Sequence, residues 1–144
     1  MKILVINGHP DKESYCQAIF QTIVETIDSN RHELKVISLN EEDFDPVLRY
    51  GYRKRMKEDS FIRRSQELIQ WAEHFIFVYP IWWSSMPSLM KGWIDRVFTP
   101  GIAYSANDQG SFIWNYLRGK QFKKLLKGKT ASIYATSMAP TWWY

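Results

Sequence analysis

Residues 2–14, KILVINGHPDKES, decide how the chain folds. Lys2 to Asn7 form a short, almost uninterrupted apolar run that stops at Gly8 and Pro10. Such a run is typical of a strand buried on both faces, as in a parallel sheet. The apolar residues that follow recur at helical spacing: Tyr15, Ala18, Ile19, Ile23 and Ile27. With Ser14 placed to cap that helix, the segment predicts a strand, a loop and a helix N-terminus.

Three further runs have the length and apolar character of buried strands. They are ELKVISL (33–39), HFIFVY (74–79) and TASIYAT (130–136). Two segments between them look helical, residues 65–73 and residues 86–97, the second with Pro87 in its first turn. Strands that alternate with helices predict a doubly wound α/β sheet, here in a single domain over residues 1–144.

Two long polar connections separate these elements. Residues 40–64 allow only a helical turn near Asp59, and residues 105–128 allow a helix around residues 113–126. Neither connection contains a repeat or a low-complexity tract.

The composition is that of an ordinary globular protein except for its aromatic residues. Seven Trp and an aromatic fraction of 16% exceed what a core of this size needs, so some rings are expected to face a ligand or partner. Cys16 is the single cysteine, so no disulfide can form within the chain. No apolar run approaches the length of a transmembrane helix or a signal peptide, and we expect a cytoplasmic protein.

The net charge of +4 comes mainly from two basic clusters, within residues 53–57 and residues 120–129. No base-reading motif accompanies them, so we interpret them as solvated faces and expect no nucleic-acid partner. A mildly positive field also suits an anionic small molecule or a membrane-associated partner. His9, His32 and His74 lack the spacing of metal ligands, so no metal site is expected.

Ligands of open α/β sheets bind beyond the carboxyl ends of the strands. Three loops leave such ends here, residues 8–14, residues 80–86 and residues 137–144. The first enters a helix N-terminus, which favours a phosphate, but it lacks both the GxGxxG fingerprint and the P-loop lysine. Ser14 there could cap the helix, bind phosphate or do both. His9 could face a ring or a pyrophosphate, or make an ordinary hydrogen bond.

The second and third loops are rich in aromatic residues. Trp82 and Trp83 could form a wall for a flat ring, with backbone N–H groups bonding its polar edge. The alternative is core packing or a dimer interface. Two aromatic loops at one sheet edge favour a planar heteroaromatic cofactor. Cys16, near a helix start, is interpreted as a buried structural residue.

Four pieces of the sequence carry a family resemblance. They are NGHPDKES (7–14), FDPVL (44–48), PIWWSSMPSLMKGWIDRVFTPGIAY (80–104) and TSMAP (136–140). The chain thereby resembles the flavodoxin-fold NAD(P)H:quinone oxidoreductases, which include bacterial modulator quinone reductases and ancillary subunits of potassium efflux systems. The resemblance implies a flavodoxin-like parallel sheet with strand order 2-1-3-4.

The resemblance also implies roles for particular residues. The positions at the phosphate chain of the flavin match His9, Ser14, Tyr15 and Gln17. The positions along the isoalloxazine match Pro80, Ile81, Trp82 and Trp83. The family's Thr-Thr-Gly-Gly loop at the other edge of the ring matches Thr136, Ser137, Met138 and Ala139.

Two tyrosines complete the set. Tyr144 has the spacing of a family tyrosine near the hydride-receiving end, where it would act as a catalytic hydrogen-bond donor. Tyr104 matches a residue that reaches across a homodimer to the substrate site of the partner.

The sequence departs from the family pattern in two places. Met138-Ala139 replaces Gly-Gly, so side chains stand where bare backbone approaches the ring, and a narrower or tilted pocket is expected. Family members continue past the position of Tyr144 with a fifth strand and flanking helices. The fourth strand is therefore expected to be an exposed sheet edge, unless a partner covers it.

The activity that the resemblance implies is two-electron, ping-pong reduction of a quinone or similar acceptor. NAD(P)H would give a hydride to a bound flavin, FAD or FMN, which would then reduce the acceptor. One alternative is a flavin-binding ancillary subunit that docks peripherally on a membrane transporter and turns over little, and another is an inactive truncated form. A one-electron carrier such as flavodoxin is disfavoured, because such carriers are usually acidic.

Overall fold

The computed structural model describes residues 1–106 and 122–138. In chain order its elements are β1 (Lys2–Asn7), α1 (Tyr15–Thr26), β2 (Glu33–Ser38), α2 (Ser60–Trp71), β3 (His74–Pro80), α3 (Ser88–Val97), β4 (Tyr104–Ala106), β5 (Phe122–Lys124) and β6 (Thr130–Thr136). A short 3-10 turn, Leu39–Glu41, follows β2.

Four of the strands form one parallel sheet in the order β2-β1-β3-β6. In its register Val5 lies opposite Val36 on one side and opposite Ile76 on the other, and Ile76 lies opposite Ser132. Because all four strands run the same way, their carboxyl ends share one edge of the sheet. The predicted α/β class and the order 2-1-3-4 are confirmed, with β6 as the fourth strand.

Helices cover the two faces of the sheet. On one face α1 buries Cys16 and Phe20 against Val5, Ile76 and Val78. On the other, α2 and α3 form a larger core with Leu4, Ile6, Ile37 and Phe75, in which Trp93 is fully buried. The indole Nε1 of Trp93 donates to Ser65 Oγ at 3.0 Å, which satisfies its polar atom inside the core. This confirms that Trp93 belongs to the packing face of its helix.

Two helix boundaries differ from those predicted. Helix α2 begins at Ser60 rather than at residue 65, because the Asp59 carboxylate accepts the free N–H groups of Phe61 and Ile62 at 3.0 and 3.2 Å. Helix α3 begins at Ser88, and Pro87 lies before its first turn as the N-terminal cap residue.

The helix predicted around residues 113–126 is wrong for its last part. Phe122–Lys124 is strand β5, which pairs antiparallel with β4, and Ala106 lies opposite Phe122. The rings of Tyr104 and Phe122 meet edge to face at 5.3 Å. This pairing joins distant segments, so local periodicity did not indicate it; residues 113–121 lie outside the described part of the chain.

The FDPVL segment packs on α3 where the helix carries a glycine. A Cβ on Gly92 would lie 2.3 Å from the Pro46 carbonyl oxygen, so a side chain there would push the two segments apart. Four residues further along α3, the buried Arg96 donates from Nη1 to the Asp45 carbonyl oxygen at 2.5 Å and to Asp59 Oδ2 at 3.3 Å. The long connection before α2 is thereby held against α3.

Strand β6 is an exposed edge among the described residues, as predicted. It pairs with β3 on one side, and Ile133 and Tyr134 are 60% and 47% exposed on its two faces. None of the helices in the described ranges has the length and apolar character needed to cross a membrane.

Candidate functional site

The three predicted loops meet at the carboxyl ends of β1, β3 and β6. An open cavity of about 700 Å³ lies at this edge, and its lining comes from the start of α1 and from the described parts of the second and third loops: Tyr15, Pro80, Ile81, Trp82, Trp83, Thr136, Ser137 and Met138. Residues 8–14 of the first loop are not part of this lining. Two backbone hydrogen bonds tie the loops to neighbouring strands. The Gly8 N–H donates to the Val78 carbonyl at 2.8 Å, and the Ile81 N–H donates to the Thr136 carbonyl at 2.7 Å. The cavity is therefore built on the rigid part of the sheet.

The second loop is a tight turn that presents two indoles. Trp82 N–H donates to the Ser85 carbonyl at 2.8 Å, and Ser85 N–H donates back to the Trp82 carbonyl at 3.0 Å. The central residues Trp83 and Ser84 have φ of 51° and 59°, the left-handed values of a type I′ turn. Non-glycine residues in this region each cost about 1–2 kcal/mol, so the turn is strained.

This strained turn presents polar and aromatic groups at the cavity. Trp83 is 99% exposed and Trp82 is 46% exposed. Among the described residues nothing accepts a hydrogen bond from the backbone N–H of Trp83 or Ser84. The loop thus offers a flat apolar surface beside two backbone donors that no described residue accepts.

The first loop lies beside the cavity, where His9 contacts Trp82. Ser14 caps α1, since its Oγ accepts the Gln17 N–H at 3.2 Å. His9 Nδ1 accepts the Asp11 N–H at 2.9 Å, which places the proton of the neutral ring on Nε2. The His9 ring meets Trp82 edge to face, with centroids 5.4 Å apart. Tyr15 is largely exposed on the cavity side.

Gln17 and Cys16 lie behind the cavity rather than in its lining. Gln17 Oε1 accepts a hydrogen bond from Asn7 at 2.6 Å. Cys16 is buried, with its Sγ 3.1 Å from Thr136 Oγ1. Burial raises the pKa of the Cys16 thiol above its ordinary value, and the Thr136 hydroxyl offsets only part of this shift. A structural thiol is what the sequence suggested.

The third loop contributes Thr136, Ser137 and Met138 to the cavity. The Met138 side chain is fully exposed, in the position where the family pattern has glycine. Ala139 and Tyr144 lie outside the described residues. Tyr104 lies in β4, away from this cavity, with its ring against Phe122.

One residue near the site was missed by sequence reasoning. Asn7 is fully buried at the end of β1, and its Oδ1 accepts the His9 N–H at 3.0 Å. A single polar residue closing an apolar strand was the only signal for it.

Two other cavities of similar volume are poorer candidates for a cofactor. One, of about 730 Å³ between β2 and α2, includes the paired charges of Glu42 and Arg64. The other, of about 740 Å³ between residues 48–59 and the end of α3, has seven charged residues among the seventeen that line it. Neither lies at the carboxyl ends of adjacent strands. In the described ranges no cluster of His, Cys, Asp and Glu could hold a metal ion.

The sequence of the chain is similar to those of known oxidoreductases. The chain is 27% identical over 154 residues to ribosyldihydronicotinamide dehydrogenase [quinone] of Mus musculus, covering 92% of this chain and 66% of that protein. It is 29% identical over 132 residues to an NAD(P)H oxidoreductase of Haemophilus influenzae, covering 88% of this chain and 63% of that protein. This chain thus spans slightly less than two thirds of these curated relatives.

A solved structure is similar over nearly the whole chain. It is that of Smu.1420 from Streptococcus mutans UA159, with a TM-score of 0.78 and 32% identity, and the match covers 99% of this chain and 71% of that one. The flavodoxin-like fold family itself matches over residues 1–144. The chain therefore belongs to the flavodoxin-like fold family, as the resemblance in its loops predicted.

Proposed function

We propose that this chain binds a flavin, FAD or FMN, and carries out NAD(P)H-dependent two-electron reduction of quinones. The observation that carries the proposal is the strained tryptophan turn, which faces a helix N-terminus across one cavity at the carboxyl edge of the sheet. The names of the two curated relatives, a quinone-linked dehydrogenase and an NAD(P)H oxidoreductase, support the same chemistry.

The residues present fit a flavin. The N–H groups of Trp83 and Ser84, which no described residue accepts, suit the polar edge of a flat ring, and the indoles of Trp82 and Trp83 suit its faces. When bound, a flavin supplies hydride acceptance and donation. The N-terminus of the twelve-residue helix α1 favours the negative charge of a phosphate, and His9 Nε2–H is a further donor on that side.

The chain's own contribution is binding and orientation. The Trp82–Ser85 turn fixes the backbone donors before any ligand arrives, so little ordering is needed on binding. The fully exposed Trp83 and Met138 leave one side of the cavity open to a nicotinamide and then to an acceptor. Tyr144 would donate a hydrogen bond to the developing hydroquinone anion.

The assembly we propose is a cytoplasmic homodimer in which Tyr104 reaches the partner's site. Support comes from exposed apolar side chains in the connection before α2, where Val47 and Tyr52 are 51% and 58% exposed. The Tyr52 hydroxyl donates to the Asp95 carbonyl oxygen at 3.3 Å, which fixes that ring on the surface of α3. A monomer by light scattering at micromolar concentration would exclude the cross-subunit role.

A second candidate is an ancillary subunit that docks on a membrane transporter and turns over little. It is favoured by the basic cavity away from the tryptophan turn, whose lining includes Lys54, Arg55 and Lys57. Such a surface suits an acidic partner segment.

Absorption spectroscopy tests both functions. Purified protein is mixed with FMN or FAD, desalted, and titrated anaerobically with NADH or NADPH before menadione is added. Bound flavin that bleaches and then recovers its colour supports the reductase. Bound flavin that never bleaches supports the ancillary function, and protein that retains no flavin contradicts both.

A further inference from the structure

Asn7 is the centre of a hydrogen-bond network at the carboxyl edge of the sheet. Its side chain is fully buried at the carboxyl end of β1, where a polar group costs free energy unless it is hydrogen-bonded. Its Oδ1 accepts the His9 N–H at 3.0 Å, and its Nδ2 donates to Gln17 Oε1 at 2.6 Å and to Ser38 Oγ at 3.5 Å. One amide therefore joins the first loop, helix α1 and the end of β2.

These partners also fix which way the amide points. A backbone N–H can only donate, so the atom facing His9 must be the carbonyl oxygen of Asn7. The amide nitrogen then faces Gln17 and Ser38, and Ser38 Oγ in turn donates to Asn40 Oδ1 at 2.9 Å. Every atom of the Asn7 amide head has a partner, and no apolar residue of similar shape could replace those bonds.

The network reaches the candidate flavin wall through His9. Asn7 holds the His9 backbone, the Asp11 N–H holds His9 Nδ1, and the His9 ring meets Trp82 edge to face. A displacement of His9 would therefore remove the support of the Trp82 indole on the side of the first loop.

We propose that Asn7 is a positioning residue, which holds the Trp82 indole through His9 and the first turn of α1 through Gln17 in the arrangement that binds flavin. The inference rests on the proposed function, since it assigns Asn7 to the same site. Asn7 itself does not line the cavity.

Two substitutions at Asn7 separate its contact with His9 from its contact with Gln17. Asn7→Leu keeps the approximate shape of the side chain and removes all its hydrogen bonds. Asn7→Asp keeps an oxygen for the His9 N–H but loses the amide donor to Gln17. Ser38→Ala removes the contact that leads away from the loop. Ile37→Val, in the core, controls for loss of stability alone.

The first readout is the indole N–H resonance of Trp82 in the flavin-free protein, assigned by its disappearance in Trp82→Phe. We expect it to shift in Asn7→Leu and to stay near its wild-type position in Asn7→Asp, Ser38→Ala and Ile37→Val. The second readout is the flavin dissociation constant. We expect Asn7→Leu, which loses the bond to the His9 N–H together with its other hydrogen bonds, to raise this constant about fivefold to tenfold, and Ser38→Ala and Ile37→Val to leave it unchanged.

The outcomes are distinguishable. Wild-type flavin affinity with an unmoved Trp82 resonance in Asn7→Leu would overturn the positioning role. A shift of equal size in Ile37→Val would overturn it too, since any destabilisation would then suffice. If Asn7→Leu does not fold, Asn7→Asp and Ser38→Ala still provide a test, because both keep the oxygen that accepts the His9 N–H. A Trp82 resonance that moves by the same amount in these two variants overturns the role. Wild-type protein that takes up no flavin would overturn the proposed function, while the resonance in the free protein would still decide the role of Asn7.

Discussion

Trp82 and Ser85 exchange two backbone hydrogen bonds, of 2.8 and 3.0 Å, and so force Trp83 and Ser84 into left-handed backbone conformations. Natural type I′ turns favour glycine or asparagine at these positions, because a Cβ is strained there. The turn thus gives up stability to hold an indole at the cavity, together with two N–H groups that no described residue accepts.

Ser84→Gly is expected to stabilise the protein. Glycine adopts a φ of 59° without strain, so the free energy of unfolding should rise by about 0.5–1 kcal/mol after the greater freedom of the unfolded chain is subtracted. Urea unfolding measures the change. Ser60→Gly, in the first turn of α2, should be destabilising instead, and a loss of stability in both variants would contradict the strain at Ser84.

Trp83→Ala should change flavin binding, whereas Trp93→Ala should change folding stability. Trp83 is almost fully exposed, so its removal should leave thermal stability unchanged and weaken flavin binding about threefold to tenfold. Trp93 is fully buried, and its removal should cost about 3–5 kcal/mol of folding free energy. Flavin titration and thermal melts of the two variants provide the comparison. The placement of this loop would be wrong if Trp93→Ala folded normally and lost flavin.

Trp82→Ala should also weaken flavin binding more than Trp93→Ala does.

Cys16 should make stability fall at alkaline pH. Burial raises the pKa of its thiol above the ordinary value of 9.0, so the folded state favours the protonated form. The contribution is fully present below the pKa of the unfolded chain and is lost as pH rises through the higher folded pKa. Urea unfolding at pH 7, 9 and 10 should therefore show a steeper decline in wild type than in Cys16→Ala. Equal slopes in the two proteins would refute the assignment.

Arg96→Met should destabilise the protein by about 3–5 kcal/mol, because it leaves the partly buried Asp59 without its cation and the Asp45 carbonyl without its donor. The matched control is Arg63→Met. Arg63 and Glu58 form a pair whose side chains are 66% and 75% exposed, which is worth less than about 1 kcal/mol. Chemical denaturation of both variants measures the contrast, and similar losses would show that burial of Arg96 does not matter.

Much of the fold could be predicted because each buried parallel strand is visible in the sequence as a short apolar run. β1 occupies the residues that its apolar run indicated, and the carboxyl-edge rule correctly placed the second and third loops at one cavity, beside the start of α1. The start of α2 was missed because Asp59 lies in a polar, basic segment that masks a capping signal. Strand β5 was missed because it depends on pairing with β4, far away in sequence.

The details of the site are less visible in the sequence. Neither Trp nor Ser signals a positive φ, so the turn at residues 83–84 could not be predicted from residue types. The role of Asn7 depends on partners contributed by three separate segments, which only the folded chain assembles.

The hydrogen bond from Ile81 to Thr136 has a consequence for the order of folding. During synthesis β1, β2 and β3 precede β6, which can pair with β3 only after residues 81–129 have also been made. Ile81 has no acceptor at Thr136 until that late docking step. The tryptophan turn therefore gains this anchor only when β6 docks on β3, so a nascent chain can hold the turn against the sheet only after β6 has been synthesised.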